Sequence, residues 1–572
     1  MEKWVVTSKK SDFKKTGIEF GIDPVVARLI HNRDIVGNEA IQLYLHGTLQ
    51  DLPSVWQMKD MELCVNILRE KIQEKKKIRV LGDYDIDGVM ATYILVTGLE
   101  ELGAQVDTCI PDRIQDGYGI HQHLIDQAIA EGVDTILTCD NGISARDEIS
   151  YAKAQGLTVL VTDHHDIPFE ESQGERKALL PPADAILNPK QPGCPYPYKN
   201  LCGAVIAFKL ILALYERMEA EPEKAMAFLE YAAFATIGDV MELTGENRIL
   251  VKEGLKALNK TQNEGLRQLI LVNHLDKAVL SPYHIGFVLG PCINASGRLE
   301  TARLSLELLQ EKDPAKAKEK AEELHELNKT RQELTEAGKE QALAMVREGS
   351  FRNDRVLVLF LEDCQESIAG IIAGRVREAF HRPCFIITRG KEDCKGSGRS
   401  IEDYAMSEEL GKCQDLLVQF GGHPMAAGLT IKEENIPELR RRLNENCRLT
   451  AADLADKIVI DAAMPIAYIS KWLVNQIHLL EPFGNGNPRP LFAQKDLHAI
   501  DARIVGRNHN AVKLRLGDAH GVSHSAVYFG DAQKFIDEIH VRDRLAVTYY
   551  PEINVYQGRE NLQIIIQNYK VY

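Results

Sequence analysis

The feature that most constrains this chain is a rhythm between residues 77 and 190. Short β-rich runs (KIRVL, QVDTCI, DTILTCD, LTVLVTD and ADAILNP) end in polar residues and alternate with amphipathic stretches such as VMATYILVTGLEELG and ISARDEISYAKAQG. Apolar strands alternating with helices of this length predict βαβ units and a parallel sheet. In an open α/β sheet, ligands bind at the carboxyl ends of the strands. The conspicuous polar residues fall there. Asp83, Asp85 and Asp87 follow the first run, Asp112 and Arg113 the second, Asp140 the third, and Asp163, His164 and His165 the fourth.

Together these residues suit a metal site. LGDYDIDG puts three carboxylates within five residues. Such charges repel, and each resists ionisation unless a cation lies among them. DxDxD alone also fits a solvated loop or a calcium-type turn, and a His-His pair alone is more often surface or core polarity. Their joint placement on successive strand ends argues for a divalent cation. Oxygen ligands with one or two imidazoles favour Mn²⁺ or Mg²⁺, whereas structural zinc recruits thiolates. This many carboxylates suits two ions a few ångströms apart, able to activate a water and neutralise a phosphoryl group during in-line attack. The expected chemistry is metal-dependent phosphoester hydrolysis.

At 572 residues, the length suggests roughly three to four domains. The formal charge of −15 gives no general attraction to nucleic acid, so such binding must come from local basic surface. Residues 451–572 carry 13 Lys+Arg and 13 Asp+Glu, which leaves the whole −15 on the remainder. The eleven cysteines are scattered without a CxxC pair, unlike a disulfide framework or a zinc site. The start, MEKWVVTSKKSDFKK, lacks the apolar core of a signal peptide. The longest apolar stretch, LCGAVIAFKLILALY, contains Lys209 and is too short to span a bilayer. It reads as a buried helix, and a soluble, cytoplasmic, monomeric protein without a membrane partner is expected.

Helical patterns dominate residues 200–350. From Pro314 to about Arg347 the composition predicts one helix of roughly 50 Å, started by Asp313 as cap and Pro314 in the first turn. It either separates two domains across a groove or covers one larger domain. A second α/β segment runs from RVLVLFLED near 355 through SIAGIIAGRVREAF, CFIITR and GSGRS to FGGHPMAAGLTI. After about 450, short β patterns (DARIVG, AVKLRL, SHSAVYFG, RLAVTYYP, LQIIIQNY) predict a small antiparallel barrel, with an OB-fold as one candidate.

The chain also resembles the DHH/DHHA1 phosphoesterase superfamily over nearly its whole length. The resemblance is carried by VLGDYDIDGVMATYIL, IPDRIQDGYGI, TCDNGIS, VTDHH, FATIGDVMELTGENRILVKEGLKAL, GPCINASGRLETA, GSGRS, FGGHPMAAGLTI and LEPFGNGNPRPLF. The DHH motif identifies only the superfamily, while GPxINAxGRL and LEPFGxGNPxPxF point to its nuclease branch. The resemblance implies an α/β multidomain protein: an N-terminal helical segment (1–50), a parallel-sheet DHH domain (51–245), a helical connector with the long helix (246–348), an α/β DHHA1 domain (349–447) and a C-terminal OB-fold barrel (448–572).

Residue by residue, it implies metal ligation by Asp83, Asp85, Asp87, Asp140, His164 and Asp239. It places His165 at the scissile phosphate and gives Asp163 the task of orienting the imidazoles. Many relatives have a histidine where this chain has Leu81, and Asp83 is expected to stand in for it. Arg113, Arg298, Arg399 and His423 resemble phosphate-binding residues, although a lone arginine is more often a surface ion pair. Gly421, Gly422 and Gly428 fit either phosphate binding or tight backbone packing. Arg503, Arg507, Lys513, Arg515, Tyr528 and Tyr556 are candidate strand contacts on the barrel.

The activity implied is 5′→3′ hydrolysis of single-stranded DNA in recombination and repair, with a single-strand-binding protein and a helicase as partners by resemblance. The same metal core suits short RNA, a cyclic dinucleotide or polyphosphate. A non-catalytic scaffold is the third reading, but such a protein would be free to lose the ligands retained here.

Overall fold

The five apolar runs form five strands in the computed structural model, which describes residues 2–113, 116–117, 119–172, 175–506, 509–539, 543–556 and 558–572. They are β1 (Lys77–Leu81), β2 (Gln105–Cys109), β3 (Thr135–Cys139), β4 (Thr158–Thr162) and β5 (Ala185–Leu187). All pairings are parallel, in the order β2-β1-β3-β4-β5. Leu81 is level with Thr138, and Cys139 with Thr162. The residues following β1, β3 and β4 therefore emerge side by side on one edge.

Three helices support that edge: α1 (Ile86–Glu101), α2 (Gly203–Arg217) and α3 (Leu229–Gly238). Nearly every residue of each is buried, which explains why their sequences are apolar all round rather than striped. LCGAVIAFKLILALY is thus an interior helix, packed on α1.

Next come α4 (Gly290–Leu299) and α5 (Pro314–Glu348), which pack together. The 35 residues of α5 span about 50 Å at 1.5 Å per residue. Asp313 caps it by accepting from the amides of Ala315 and Lys316. A second sheet follows, with helix α6 (Glu366–Phe380) packed on it and on α5. Its strands are β6 (Leu357–Phe360), β7 (Cys384–Thr388), β8 (Cys394–Arg399), β9 (Leu417–His423) and β10 (Ala426–Ile431), in the order β9-β10-β8-β7-β6. Only β6 and β7 run parallel, because α6 connects them; the others are antiparallel.

These elements belong to one compact unit, Pro53–Met241 with Glu253–Asp456; a second comprises Glu2–Leu52, Glu242–Lys252 and Lys457–Tyr572. Within the second unit, β11 (Phe492–Val505), β12 (Ala511–Gly517), β13 (Ser523–Phe529), β14 (Leu545–Tyr556) and β15 (Arg559–Val571) close into a ring, since β11 pairs with both β12 and β14. The ring is not wholly antiparallel. β13 and β15 run parallel, because a helix (Ala532–Glu538) and β14 intervene between them and reverse the chain once more. The N-terminal segment is built into this unit. Lys3–Val6 pairs with Lys457–Ile460, and Tyr44 Oη and Arg33 Nε both donate to Asn487 Oδ1, at 2.9 and 2.8 Å. Among the described residues no helix is long and apolar enough to cross a membrane, and all eleven cysteines are free thiols.

Candidate metal centre

The turn from β1 into α1 carries the first candidate ligands. The first amides of a helix have no intrahelical partner. Here Asp85 caps α1, its Oδ1 accepting from the amides of Asp87 and Gly88 at 2.9 and 3.1 Å. The Ile86 amide is taken by Asn294 Oδ1, from α4, at 2.8 Å. Asp87 faces the start of α2, where its two oxygens accept from the amides of Gly203 and Ala204 at 2.6 and 2.8 Å. The first amides of α2 therefore hold both Asp87 oxygens in place.

The remaining candidate ligands come from neighbouring strand and helix ends. Asp140 follows β3 with φ of 60°, a left-handed turn that is uncommon outside glycine. Asp239 ends α3 as its C-terminal cap. After β4, Asp163 is wholly buried. Its Oδ2 accepts from the Ile143 amide, and its Oδ1 from the amides of His164 and His165. The same Oδ1 lies 2.7 Å from His165 Nδ1. Asp163 thus fixes the His165 ring directly, but reaches His164 only through its backbone.

The groups converge. Asp83, Asp85 and Asp140 each offer a ligand atom within 4.8 Å of the others; so do Asp87, His164 and Asp239, and so do Asp140, His164 and His165. His164 Nε2 lies 3.1 Å from Asp140 Oδ1, 3.6 Å from Asp87 Oδ2 and 3.8 Å from Asp239 Oδ2. Burial, then the charges of Asp85 and of Asp87 respectively, push the Asp83 and Asp239 carboxyls well above the ordinary value. Asp140 is raised by burial and by Asp87, Asp85 and Asp83. Burial lowers His164, so its ring is neutral and ligand-competent at neutral pH. His165 behaves oppositely: burial opposes its charge, but the Asp163 carboxylate pushes it up to about 9.

Divalent cations fit this donor set. Asp83 Oδ1 is buried without a hydrogen-bond partner, a costly state for a polar atom unless something else satisfies the site. The crowded carboxylates suffer the mutual repulsion that a cation removes. Leu81 is fully buried in the apolar core, whereas Asp83, two residues later, stands among the carboxylates.

Arg113, Arg298 and Arg399 line one cavity of about 380 Å³, together with Arg375 and Ser367 of α6. Arg298 Nη1 donates to the Ser367 carbonyl at 2.8 Å. Burial, with Arg113 and Arg331 nearby, lowers its guanidinium to about 10, which still leaves it charged at neutral pH. His423 is not among the cavity residues; it lies exposed on β9. There its charge, behind the bond and charge of Lys190, helps hold the Asp166 carboxyl below the ordinary range.

On the strand ring, Arg503, Lys513 and Arg515 line a separate cavity of about 370 Å³. Tyr528 is instead packed against Phe535 and Tyr569, at centroid distances of 4.8 and 5.4 Å. Arg507 and the Tyr556 side chain lie outside the described residues.

Several participants escaped sequence reasoning. The Gly203 and Ala204 amides carry no side-chain signal. Gly203 is constrained by space, since a Cβ there would lie 2.8 Å from Asp140 Cβ. Asn188 donates to the His165 carbonyl at 2.9 Å, and Lys190 Nζ lies 2.9 Å from Asp166 Oδ1. Both follow β5, so the strand-end rule that found the aspartates would have found them. The residues of GPCINASGRL serve geometry as well as charge: besides Asn294, Gly297 lets α4 approach the Tyr84 carbonyl, 2.3 Å from where a Cβ would sit.

Residues 77–236 match the DHH family, N-terminal domain; residues 353–449 match the DHHA1 domain; and residues 460–568 match the RecJ OB domain. The single-stranded-DNA-specific exonuclease RecJ of Bacillus subtilis is 34% identical over 572 residues, covering 99% of this chain and 70% of that protein. Crystal structures of RecJ from Thermus thermophilus superpose with TM-scores of 0.84 for the complex with Mn²⁺ and 0.78 for that with Mg²⁺. Their identities are 28% and 27%, and each covers 99% of this chain, against 79% and 78% of the solved chains. With the metal-ligand geometry, the three domain matches and this full-length similarity in agreement, the chain belongs to the RecJ family.

Proposed function

We propose that this protein is a single-stranded-DNA-specific exonuclease that hydrolyses phosphodiester bonds in the 5′→3′ direction, in DNA recombination and repair. One observation carries the reading. A cluster of overlapping ligand groups and a four-arginine cavity lie in the same compact unit, tied together by α4.

Two ions, Mn²⁺ or Mg²⁺, would be held by Asp83, Asp85 and Asp140 on one side and by Asp87, His164 and Asp239 on the other, with Asp140 shared between them. Bound there, they supply Lewis acidity, making water nucleophilic near neutral pH and neutralising phosphoryl oxygens. The chain's own residues do the rest. Asp163 holds His165 Nδ1, so that the ring meets the scissile phosphate through Nε2 as a donor. The Asn188 bond to the His165 carbonyl fixes that residue from behind. Arg113, Arg298, Arg375 and Arg399 receive a strand phosphate, for which planar guanidinium forks suit the oxygens. His423 acts nearer Asp166. The catalytic parts are the DHH domain (51–245) and the DHHA1 domain (349–447), joined by the connector (246–348). Arg503, Lys513 and Arg515, in the OB domain (448–572), guide the strand. The protein works as a cytoplasmic monomer and takes its substrate from a single-strand-binding protein and a helicase.

Digestion of 5′-labelled and 3′-labelled single strands with Mn²⁺, beside a duplex, a short RNA and a cyclic dinucleotide, tests this reading. Early release of the 5′ label as a mononucleotide is expected. Activity confined to the cyclic dinucleotide, or release starting at the 3′ end, overturns it.

A further inference from the structure

Tyr283 and Phe287 are large aromatics left 63% and 65% exposed. Their rings form a tilted pair, with centroids 5.1 Å apart and planes at 30°. Exposed aromatic surface costs hydration and marks contact sites when it is clustered. The local backbone explains the display. Ile285–Leu289 is a π-helical turn, whose Ile285 and Leu289 are buried while Phe287 is held outward. Such turns in otherwise α-helical segments are frequent at functional sites. The position is informative too. Phe287 lines the arginine cavity beside Arg113 and Arg298. The same turn packs on α3, the helix that ends at Asp239. Phe287 therefore lines the arginine cavity from a turn packed on the helix that ends at Asp239, with the Tyr283 ring tilted beside it.

We infer that Tyr283 and Phe287 form a stacking platform for the nucleobases of the strand whose phosphate enters the arginine cavity. This deepens the exonuclease reading and rests on it. Cations beside a phosphate and aromatic rings one base away make up the chemistry that holds single strands without reading their sequence, since every base has a π-face. A base inside a duplex is already stacked and paired, so it cannot present that face without unpairing. The platform thus contributes to preference for single strands as well as to affinity.

The test uses the full chain with Mn²⁺ and 5′-phosphorylated strands, some carrying one abasic residue at each of the first few positions. Phe287→Ala and Tyr283→Ala are expected to raise KM for the normal strand on the order of tenfold or more, with the loss falling on KM rather than kcat. Both side chains are exposed, so melting should be unchanged. For the strand whose missing base would have stacked, parent and variant should have the same KM. Phe287→Tyr should restore the parent value and Phe287→Leu should not, which separates stacking from simple apolar contact. A 2-aminopurine at the stacked position should be quenched by the parent and released by Phe287→Ala. If the parent hydrolyses single strands while the variants leave KM and quenching unchanged, or Phe287→Leu rescues fully, the platform is refuted. If the parent hydrolyses no single strand, the exonuclease reading itself fails.

Discussion

Gly203→Ala sets two effects of opposite sign against each other, and magnitude decides between them. Gly203 is the first residue of α2 and has an ordinary backbone conformation, absent from the positive-φ set. By helix propensity alone, alanine should stabilise by up to about 1 kcal/mol. Space says otherwise. The new Cβ would lie 2.8 Å from Asp140 Cβ, 3.0 Å from its Oδ1 and 3.1 Å from its Cα. Carbon atoms rest at about 3.5–4.0 Å, so α2 and Asp140 must separate by about 0.7 Å or more. One neighbour is backbone, and Asp140 already occupies a left-handed turn, so neither side yields freely. Overpacking of this kind costs about 1–3 kcal/mol, enough to cancel the propensity gain. The functional cost is larger. Retreat of α2 stretches the 2.6 Å bond from the Gly203 amide to Asp87, while Asp140 shifts on the other side. Both proposed ions then lose geometry, and misplacement approaching 1 Å costs on the order of 10²-fold in rate. Mn²⁺ titration of strand hydrolysis, with parallel thermal melts, should show kcat down on the order of 10²-fold and half-saturation by Mn²⁺ moved upward. A variant that melts higher than the parent, with unchanged Mn²⁺ dependence, would refute the argument that close approach here sets the ligand geometry.

Three other outcomes follow from the same site. Asp140→Ala should abolish hydrolysis while leaving the melting transition cooperative, because it removes the carboxylate shared by two ligand groups; full retained activity would remove Asp140 from the site. Asn294→Ala leaves the Ile86 amide without its acceptor and should cost about 1 kcal/mol in stability. It should also weaken Mn²⁺ binding measured directly by calorimetry, and unaltered affinity would show that the turn holds itself. Mn²⁺ binding should release protons at pH values above the ordinary carboxylate range, because Asp83, Asp140 and Asp239 are all raised when metal-free. The folded chain then binds more protons than the unfolded one, so these groups make the metal-free fold lose stability as pH rises from about 3.8 through their raised values. Apparent Mn²⁺ affinity rises over the same range, and calorimetry in two buffers of different ionisation enthalpy reads the release; a buffer-independent enthalpy would contradict it.

The sequence was most legible where periodicity and strand ends coincide. Five apolar runs form five parallel strands, and the rule that ligands gather at carboxyl ends points to residues from Asp83 to His165 that the fold brings together. Asp239 was different. It ends a helix, and no pattern in TIGDV distinguishes a ligand from a helix cap, so only family resemblance singled it out. Contacts made by backbone amides were illegible, as at Gly203 and Ala204, because any residue supplies an amide. The sequence predicts a separate N-terminal helical piece, yet Lys3–Val6 pairs with Lys457–Ile460 across more than 450 residues of sequence. A four-residue strand with an exposed face carries no mark of its partner. The parallel β13–β15 pair was missed for the same reason: alternation reports which face is buried, not which direction the neighbour runs.

The chain's acidity makes metal and substrate binding interdependent. With a net charge of −15, the protein offers a polyanion no general attraction, and the carboxylates of the ligand cluster repel a phosphate approaching the bond to be cut. The four arginines of the cavity lie in a setting that lowers Arg298 through burial and through the charges of Arg113 and Arg331. Arg375 is paired with Glu378 at 3.2 Å, whereas Arg113, Arg298 and Arg399 crowd one another, and an anion relieves that repulsion just as cations relieve it among the aspartates. The two clusters are complementary halves of one electrostatic arrangement, and α4 joins them, holding the Asp85 turn through Asn294 and reaching α6 through Arg298. A strand phosphate bound in the cavity, as proposed, would therefore be set against a centre that becomes hospitable to the next phosphate only once its carboxylates are neutralised by metal. This makes cutting conditional on bound metal through simple charge balance as well as through chemistry at the scissile bond.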